Sequence, residues 1–361
     1  MYNYLIVGAG IAGCVLAERL AALGNRILIV EIRNHIGGNC YDEFNQDGIL
    51  IHRYGPHIFR TNSQEIWNYL SCFTEWHHYQ HKVLAYVDGL KVPFPVNLDT
   101  LSILLNQQFS SADMKEYLDK SRYQADVKAI NNAEDMAISL VGQELYEKFF
   151  KHYTEKQWNL RPEELAAEVT GRIPVRLNRD SRYFNDKYQG LPKHGYTKMF
   201  NRMLEHPNIQ ILLQTDYKQI IENISFDKMI YTGPIDYFFD YVHGRLPYRS
   251  LKFEFETLPM EYYQEVGTVN YPNDYDFTRI SEYKHLTGQK HLWTTIAREY
   301  PAEGEPYYPV PTEMNQALYN RYASEAEKLK SVYFLGRLAE YRYYSMDQVI
   351  TQVFRILNNI I

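Results

Sequence analysis

Tyr4-Leu5-Ile6-Val7 runs into Gly8-Ala9-Gly10-Ile11-Ala12-Gly13, and the helix-like stretch Cys14 to Leu23 follows and stops at Gly24. An apolar run, a glycine-rich turn and a helix form the opening of a βαβ unit. A second apolar run, Arg26-Ile27-Leu28-Ile29-Val30, ends in Glu31. A carboxylate at that strand tip reaches a ribose 2′-hydroxyl of a bound dinucleotide. Gly8 serves the tight turn, Gly10 the approach of backbone to pyrophosphate, and Gly13 close helix packing. The helix start then offers unpaired N–H groups to the phosphates. Such a glycine pattern alone can be an ordinary turn, but here strand, helix, second strand and terminal acid agree.

Outward from this stretch, Arg33 and Ile36-Gly37-Gly38-Asn39 follow. The glycine pair resembles the extended fingerprint of the FAD-dependent glutathione-reductase-like family more than an NAD domain, which makes FAD the expected cofactor. Residues 48–61 read as strand and turns bent at Gly55-Pro56, and residues 82–94 as a hairpin turning at Asp88-Gly89. From Leu98 to Trp158, turn signals are scarce and apolar positions recur at helical spacing, as a helical insertion would show. Residues 172–196 read as loop-rich. Alternating runs near 250–256, 265–271 and 290–298 predict an antiparallel sheet. Val332 to Arg337 and then Met346 to Asn358 return to strand, glycine and helix. A Rossmann unit interrupted in this way places a cleft where the parts meet.

The 361 residues suffice for one large or several interwoven domains. A net charge of −6 with no basic block leaves nucleic acid without an electrostatic footprint. No run approaches the roughly 18 apolar residues of a membrane span, so a cytoplasmic protein with no membrane insertion is expected. Cys14, Cys40 and Cys72 are widely spaced and fit neither a disulfide framework nor a zinc site. His77, His78 and His81 imitate ligand spacing without a clustered carboxylate or cysteine, and no metal is expected. The 33 tyrosines are mostly packing residues, yet they also suit a cleft that stacks a base and donates to phosphates.

Several stretches resemble bacterial UDP-galactopyranose mutases over essentially the whole chain. They include Asn34 to Asn39, Tyr54-Gly55-Pro56-His57-Ile58-Phe59, Tyr153-Thr154-Glu155-Lys156-Gln157-Trp158 and Arg172 to Arg176. Others are Tyr188-Gln189-Gly190, Tyr231 to Asp236, Tyr248-Arg249-Ser250-Leu251, Phe277-Thr278-Arg279-Ile280, Glu305 to Pro309 and Gly336 to Tyr341. The resemblance implies an α/β fold with a discontinuous Rossmann-like FAD domain, a helical domain and a twisted antiparallel β-sheet domain. Their expected extents are 1–80, 194–236 and 312–361 for FAD, 98–172 for the helices with a mobile loop, and 81–97, 173–193 and 237–311 for the sheet.

The activity so implied is redox-neutral interconversion of UDP-galactopyranose and UDP-galactofuranose, through a bond from N5 of reduced FAD to the sugar C1. That fits a chain in which no Ser/His/Asp triad or nucleophilic cysteine is evident, because the cofactor supplies the nucleophile. Arg172 and Arg279 match the family's two essential arginines, and His57 and Arg60 flank the flavin-facing turn. Tyr183, Tyr308 and Tyr343 match tyrosines that bind phosphates and sugar. Phe149, Phe150, Tyr153, Thr154, Trp158 and Asn270 match the uridine and phosphate surroundings. Besides the glycine loop, Glu31 and Arg33, the resemblance assigns Ala12, Gly38, Asn39, His57 and Ile58 to FAD. Thr232, Gly233, Gly336, Arg337, Tyr343 and Met346 complete that set. A homodimer is also implied.

Two positions depart from the family pattern: Arg60 where many members have His, and Ser345 where many have Asp. Arg60, longer and richer in donors, is expected to admit a 2-acetamido group, making UDP-N-acetylgalactosamine a substrate beside UDP-galactose. Two other readings share the N-terminal fingerprint: a flavin amine oxidase or dehydrogenase, and a non-catalytic nucleotide-sugar-binding flavoprotein.

Overall fold

Five parallel strands, all carrying apolar runs, build the sheet that the N-terminal stretch predicts. In the computed structural model, which describes residues 1–360, they are β1 (Tyr2–Val7), β2 (Ile27–Val30), β10 (Ile209–Leu212), β11 (Phe226–Tyr231) and β17 (Val332–Phe334). Their spatial order is β10-β2-β1-β11-β17. Val7 therefore pairs with Val30 on one side and Tyr231 on the other, and the glycine loop leaves the centre of the sheet's carboxyl edge. The helix Ile11–Ala22 lies so close to that loop that a Cβ on Gly13 would sit 2.0 Å from the Gly8 carbonyl oxygen. The C-terminal helix, Met346–Ile360, buries Val349, Ile350, Val353 and Leu357 at helical spacing in the same core.

A seven-stranded sheet stands beside this unit in the order β16 (Tyr308–Pro309), β12 (Tyr248–Leu258), β15 (Thr294–Ala302), β14 (Arg279–Glu282), β13 (Thr268–Asn270), β7 (Val83–Val87) and β8 (Leu90–Phe94). Asp88 and Gly89 both adopt positive φ, 52° and 80°, as a two-residue hairpin turn requires. Every pairing is antiparallel, as the sequence leads one to expect, except that β13 runs parallel to β7. These two strands come from distant segments, so no hairpin dictates their relative direction.

Two small sheets complete the strands: β3 (Asp42–Phe44) with β4 (Leu50–His52), and β5 (Phe59–Thr61), β9 (Tyr188–Pro192) and β6 (Trp76–His78) in that order. Residues 188–192, read as loop and grouped with the large sheet, are thus a strand paired with two N-terminal strands. The helical block between Leu98 and Trp158 packs Leu101, Met114, Leu118, Ala137 and Val141 on Val83, Ala85, Val92 and Phe94. Its last helices, Gln143–Tyr146 and His152–Trp158, are joined by one π turn, Glu147–Lys151. Among the described residues no helix is long and apolar enough to cross a membrane.

Candidate active site

A cavity of about 1060 Å³ opens where the sheets and the helical block meet. It exceeds the upper end of the roughly 300–1,000 Å³ typical for one small ligand. At one end lies the glycine loop. Gly10 precedes the first helix without any side-chain cap, and no acid occupies that helix's first turn. The helix start is therefore electropositive, with N–H groups left for a ligand. An ideal Cβ on Gly10 would meet only Gly38 Cα, at 3.9 Å, so the backbone faces open space where a pyrophosphate can approach. The Glu31 carboxylate accepts from Ala9 N–H at 2.7 Å and Arg33 N–H at 2.9 Å, which fixes the strand tip beside the loop. Arg33 is held by Asn39 at 3.0 Å, Glu305 at 3.0 Å and the Tyr54 ring at 4.3 Å. These residues fit a dinucleotide.

On the cavity lining, the His57 backbone N–H donates to His52 Nδ1 at 3.0 Å, and His57 Nδ1 donates to the Gly55 carbonyl at 2.8 Å. Burial, then neighbouring His52, pushes the His57 imidazole down to about 3. It is neutral above that pH, with Nε2 left as an acceptor. Arg60 pairs with Asp186 at 2.9 Å and lies 4.5 Å from the Phe184 ring centre, on the cavity wall.

Another part of the lining is formed by cations and phenols. Tyr308 and Tyr343 stack with centroids 5.1 Å apart. The Arg172 guanidinium lies 4.3 Å from the Tyr343 centroid, while Arg337 and Arg249 lie 4.4 and 5.1 Å from that of Tyr308. Burial works to raise the Tyr343 hydroxyl, but Arg172, Arg249 and Arg337 outweigh it and lower it below the usual phenol value. Tyr308, without a guanidinium bound to its hydroxyl, is raised by burial. Arg279 donates to the Tyr153 hydroxyl, and burial pushes Tyr153 up to about 12, so it remains a neutral phenol.

The π turn adds a residue to one helical turn and buries the consecutive pair Phe149 and Phe150 on the cavity lining. Both rings pack on Phe94, at 6.0 and 5.9 Å. Asn270, at the end of β13, is buried, and its Oδ1 meets no partner among the described residues. A buried acceptor without a donor is an invitation to a ligand N–H.

Of the residues expected at the site, Gly13 and Trp158 stand outside the cavity lining. Gly13 keeps its packing task. Trp158 is buried behind the wall, with the Arg249 guanidinium 5.3 Å from its ring centre. Sequence reasoning missed Arg249, Glu299, Phe184 and Asp186 as individual residues. Arg249 lay inside a quoted stretch, whereas Glu299, one residue past the alternating run 290–298, carried no distinguishing pattern. Among the described residues no cluster of three His, Cys, Asp or Glu could hold a metal ion.

A family profile described as UDP-galactopyranose mutase matches residues 148–343, and one described as an NAD(P)-binding Rossmann-like domain matches residues 6–73. The chain is 40% identical to a probable UDP-galactopyranose mutase of Klebsiella pneumoniae, over 98% of this chain and 93% of that protein. It is 35% identical to a dTDP-fucopyranose mutase of Escherichia coli, over 98% and 96% respectively. A crystal structure of reduced UDP-galactopyranose mutase superposes with a TM-score of 0.81 at 17% identity, covering 99% of this chain and 94% of that one, a likeness of fold. With the profile covering more than half of the sequence, and identity extending over nearly its whole length, the chain belongs to the UDP-galactopyranose mutase family.

Proposed function

We propose that the chain interconverts UDP-galactopyranose and UDP-galactofuranose, with reduced FAD resident at the glycine-loop end. The observation that carries this reading is the set of arginines and tyrosines, Arg172, Arg279, Arg337, Tyr153, Tyr183, Tyr308 and Tyr343, that line one cavity. When bound, reduced FAD supplies the nucleophile for the anomeric carbon. The protein's own residues supply position and charge.

Arg172 and Arg279 hold the diphosphate that must leave and return. A guanidinium about 4 Å from a phosphate oxygen is worth roughly 4 kcal/mol at a surface-like dielectric, before desolvation. Tyr153, Tyr183, Tyr308 and Tyr343 direct phenolic groups at phosphate and sugar oxygens. Phe149 and Phe150 form the apolar wall for the base, and Asn270 Oδ1 accepts its imide N–H. Thr154 and Arg337 complete the polar lining. His57 holds no proton on Nε2 and so accepts a hydrogen bond from the cofactor side.

The finer substrate choice rests on Arg60. Held against Asp186 and Phe184, it keeps donors at the cavity wall, where they suit the carbonyl of a 2-acetamido group. UDP-N-acetylgalactosamine is then a second substrate. We also propose the three-unit division given by the sequence, with residues 188–192 moved to the FAD unit. A homodimer in the cytoplasm is part of the proposal, read by light scattering and fractionation.

The deciding experiment incubates dithionite-reduced protein with UDP-galactofuranose, UDP-N-acetylgalactofuranosamine and dTDP-fucofuranose and separates the products chromatographically. Formation of UDP-galactopyranose supports the reading, and a flavoprotein inert toward all three removes it. Oxygen consumption with an amine would establish an oxidase instead. Ligand binding without product would establish a binding protein.

A further inference from the structure

Lys156 makes a contact that none of these assignments uses. Its ammonium donates to the carbonyls of Tyr271 and Tyr275, the latter at 2.8 Å, and to that of Phe277 at 3.3 Å. An ammonium has three donors, so all are engaged. The three carbonyls belong to the loop between β13 and β14, whose two ends carry Asn270 and Arg279. Lys156 itself lies on the helix His152–Trp158, three residues beyond Tyr153, which accepts from Arg279. One helix face therefore grips both the loop and the strand that follows it.

A second contact joins the same two elements. Asn273, on the loop, donates to the Lys148 carbonyl of the π turn at 3.1 Å. The nearby acids, Asp274 and Asp276, lie on the exposed loop and form no ion pair with Lys156 among the described residues. The ammonium thus works through backbone carbonyls, and it fixes the path of a loop more than it balances charge.

We propose that Lys156 is a positioning residue for nucleotide binding: it clamps the π turn and its following helix, with Phe149, Phe150, Tyr153 and Thr154, against the β13–β14 loop that sets Asn270. This rests on the mutase reading given above. The clamp closes the base-binding wall, whereas the sugar reacts over the cofactor elsewhere in the cavity. Loosening it removes binding that substrate and transition state share, so KM rises and kcat does not fall in step.

The test uses flavin-loaded Lys156→Met and Asn273→Ala, assayed with UDP-galactofuranose after reduction, and titrated with UDP through tryptophan fluorescence. Lys156→Met is expected to raise KM and the UDP dissociation constant about tenfold with kcat within about threefold, and Asn273→Ala to raise both in the same direction by about twofold to threefold. Flavin content and spectrum stay as in the wild type. Amide exchange across residues 147–158 becomes faster in the ligand-free variants. Unchanged UDP affinity and unchanged exchange in folded Lys156→Met overturn the proposal, as does a fall in kcat at constant KM. Should Lys156→Met fail to fold, Asn273→Ala decides on the same two readouts. A wild type inert toward the sugar would sink the mutase reading, while UDP affinity and exchange would still decide the clamp.

Discussion

Glu299 accepts from Arg249 at 3.2 Å with both side chains only 6% exposed, and the same oxygen stands 3.7 Å from Arg279 Nε. One buried carboxylate on β15 thus serves two guanidiniums, one of which lines the cavity. Breaking a buried pair leaves a charge uncompensated, at a cost of about 3 kcal/mol. Glu299→Gln is expected to lose that stability in urea unfolding and to lower kcat/KM by about tenfold or more, since Arg279 loses its orienting partner. Wild-type stability in the variant would contradict this.

Arg279→Ala is expected to purify yellow, because the contacts of Arg279 are with Tyr153 and Glu299 and with no residue of the glycine loop. Its kcat should fall by about a hundredfold to a thousandfold, as when one preorganised donor to a developing charge is removed. The checks are flavin absorbance per protein and turnover of the reduced enzyme. Near-normal turnover would contradict the assigned role.

The two glycines around the start of the first helix separate packing from binding. Gly10 has φ −74° and space for a Cβ, so Gly10→Ala folds normally but intrudes on the cofactor and weakens flavin retention. A Cβ at Gly13 meets the Gly8 oxygen at 2.0 Å and Ile6 Cγ2 at 3.3 Å, and Gly13→Ala should cost about 1–3 kcal/mol by overpacking. Thermal melts with and without added FAD distinguish the two outcomes.

Arg60→His is expected to shift the ratio of kcat/KM for the acetamido sugar to that for the plain sugar toward the plain one, by about tenfold. Parallel assays with the two UDP-sugars measure it. An identical ratio in variant and wild type would remove the specificity role.

Acid stability follows from buried imidazoles. Burial pushes His52 down to about 4, and burial with the nearby Arg279 pushes His81 down to about 3. Both folded values lie below the ordinary value of roughly 6.5, so the unfolded chain takes up protons that the native state refuses. Their contribution is complete above about pH 6.5 and is lost as pH falls toward 3, by roughly 2 kcal/mol per group at pH 5. Melting temperature should therefore drop between pH 7 and 5, and His81→Phe should flatten part of that drop.

The Rossmann unit was legible because one short segment contains all its signals: apolar strand, glycine turn, helix and terminal Glu31. The hairpin at Asp88-Gly89 was legible for the same reason. β9 was not, since Gly190 and Pro192 disfavour strands on their own and are kept extended by partners on both sides. The parallel pairing of β13 with β7 joins residues far apart in sequence and leaves no local trace. At the site, the resemblance assigned Arg172, Arg279 and the tyrosines as a set, but the arrangement of Arg249 and Glu299 behind them depends on how two strands of the large sheet align. Trp158 shows the converse: a residue singled out by its motif is buried outside the cavity lining, with its ring centre 6.3 Å from that of Tyr343, which does line it.

The order β10-β2-β1-β11-β17 also dictates a timetable. One strand neighbour of β1, β2, follows the glycine loop directly, but the other, β11, is synthesised more than two hundred residues after it, and β17 and the helix Met346–Ile360 later still. A nascent chain on the ribosome therefore carries an exposed half-sheet through most of its synthesis. A chain cut ahead of β17 would keep the nucleotide fingerprint and yet lack Arg337, Met346 and the helix that line the same cavity.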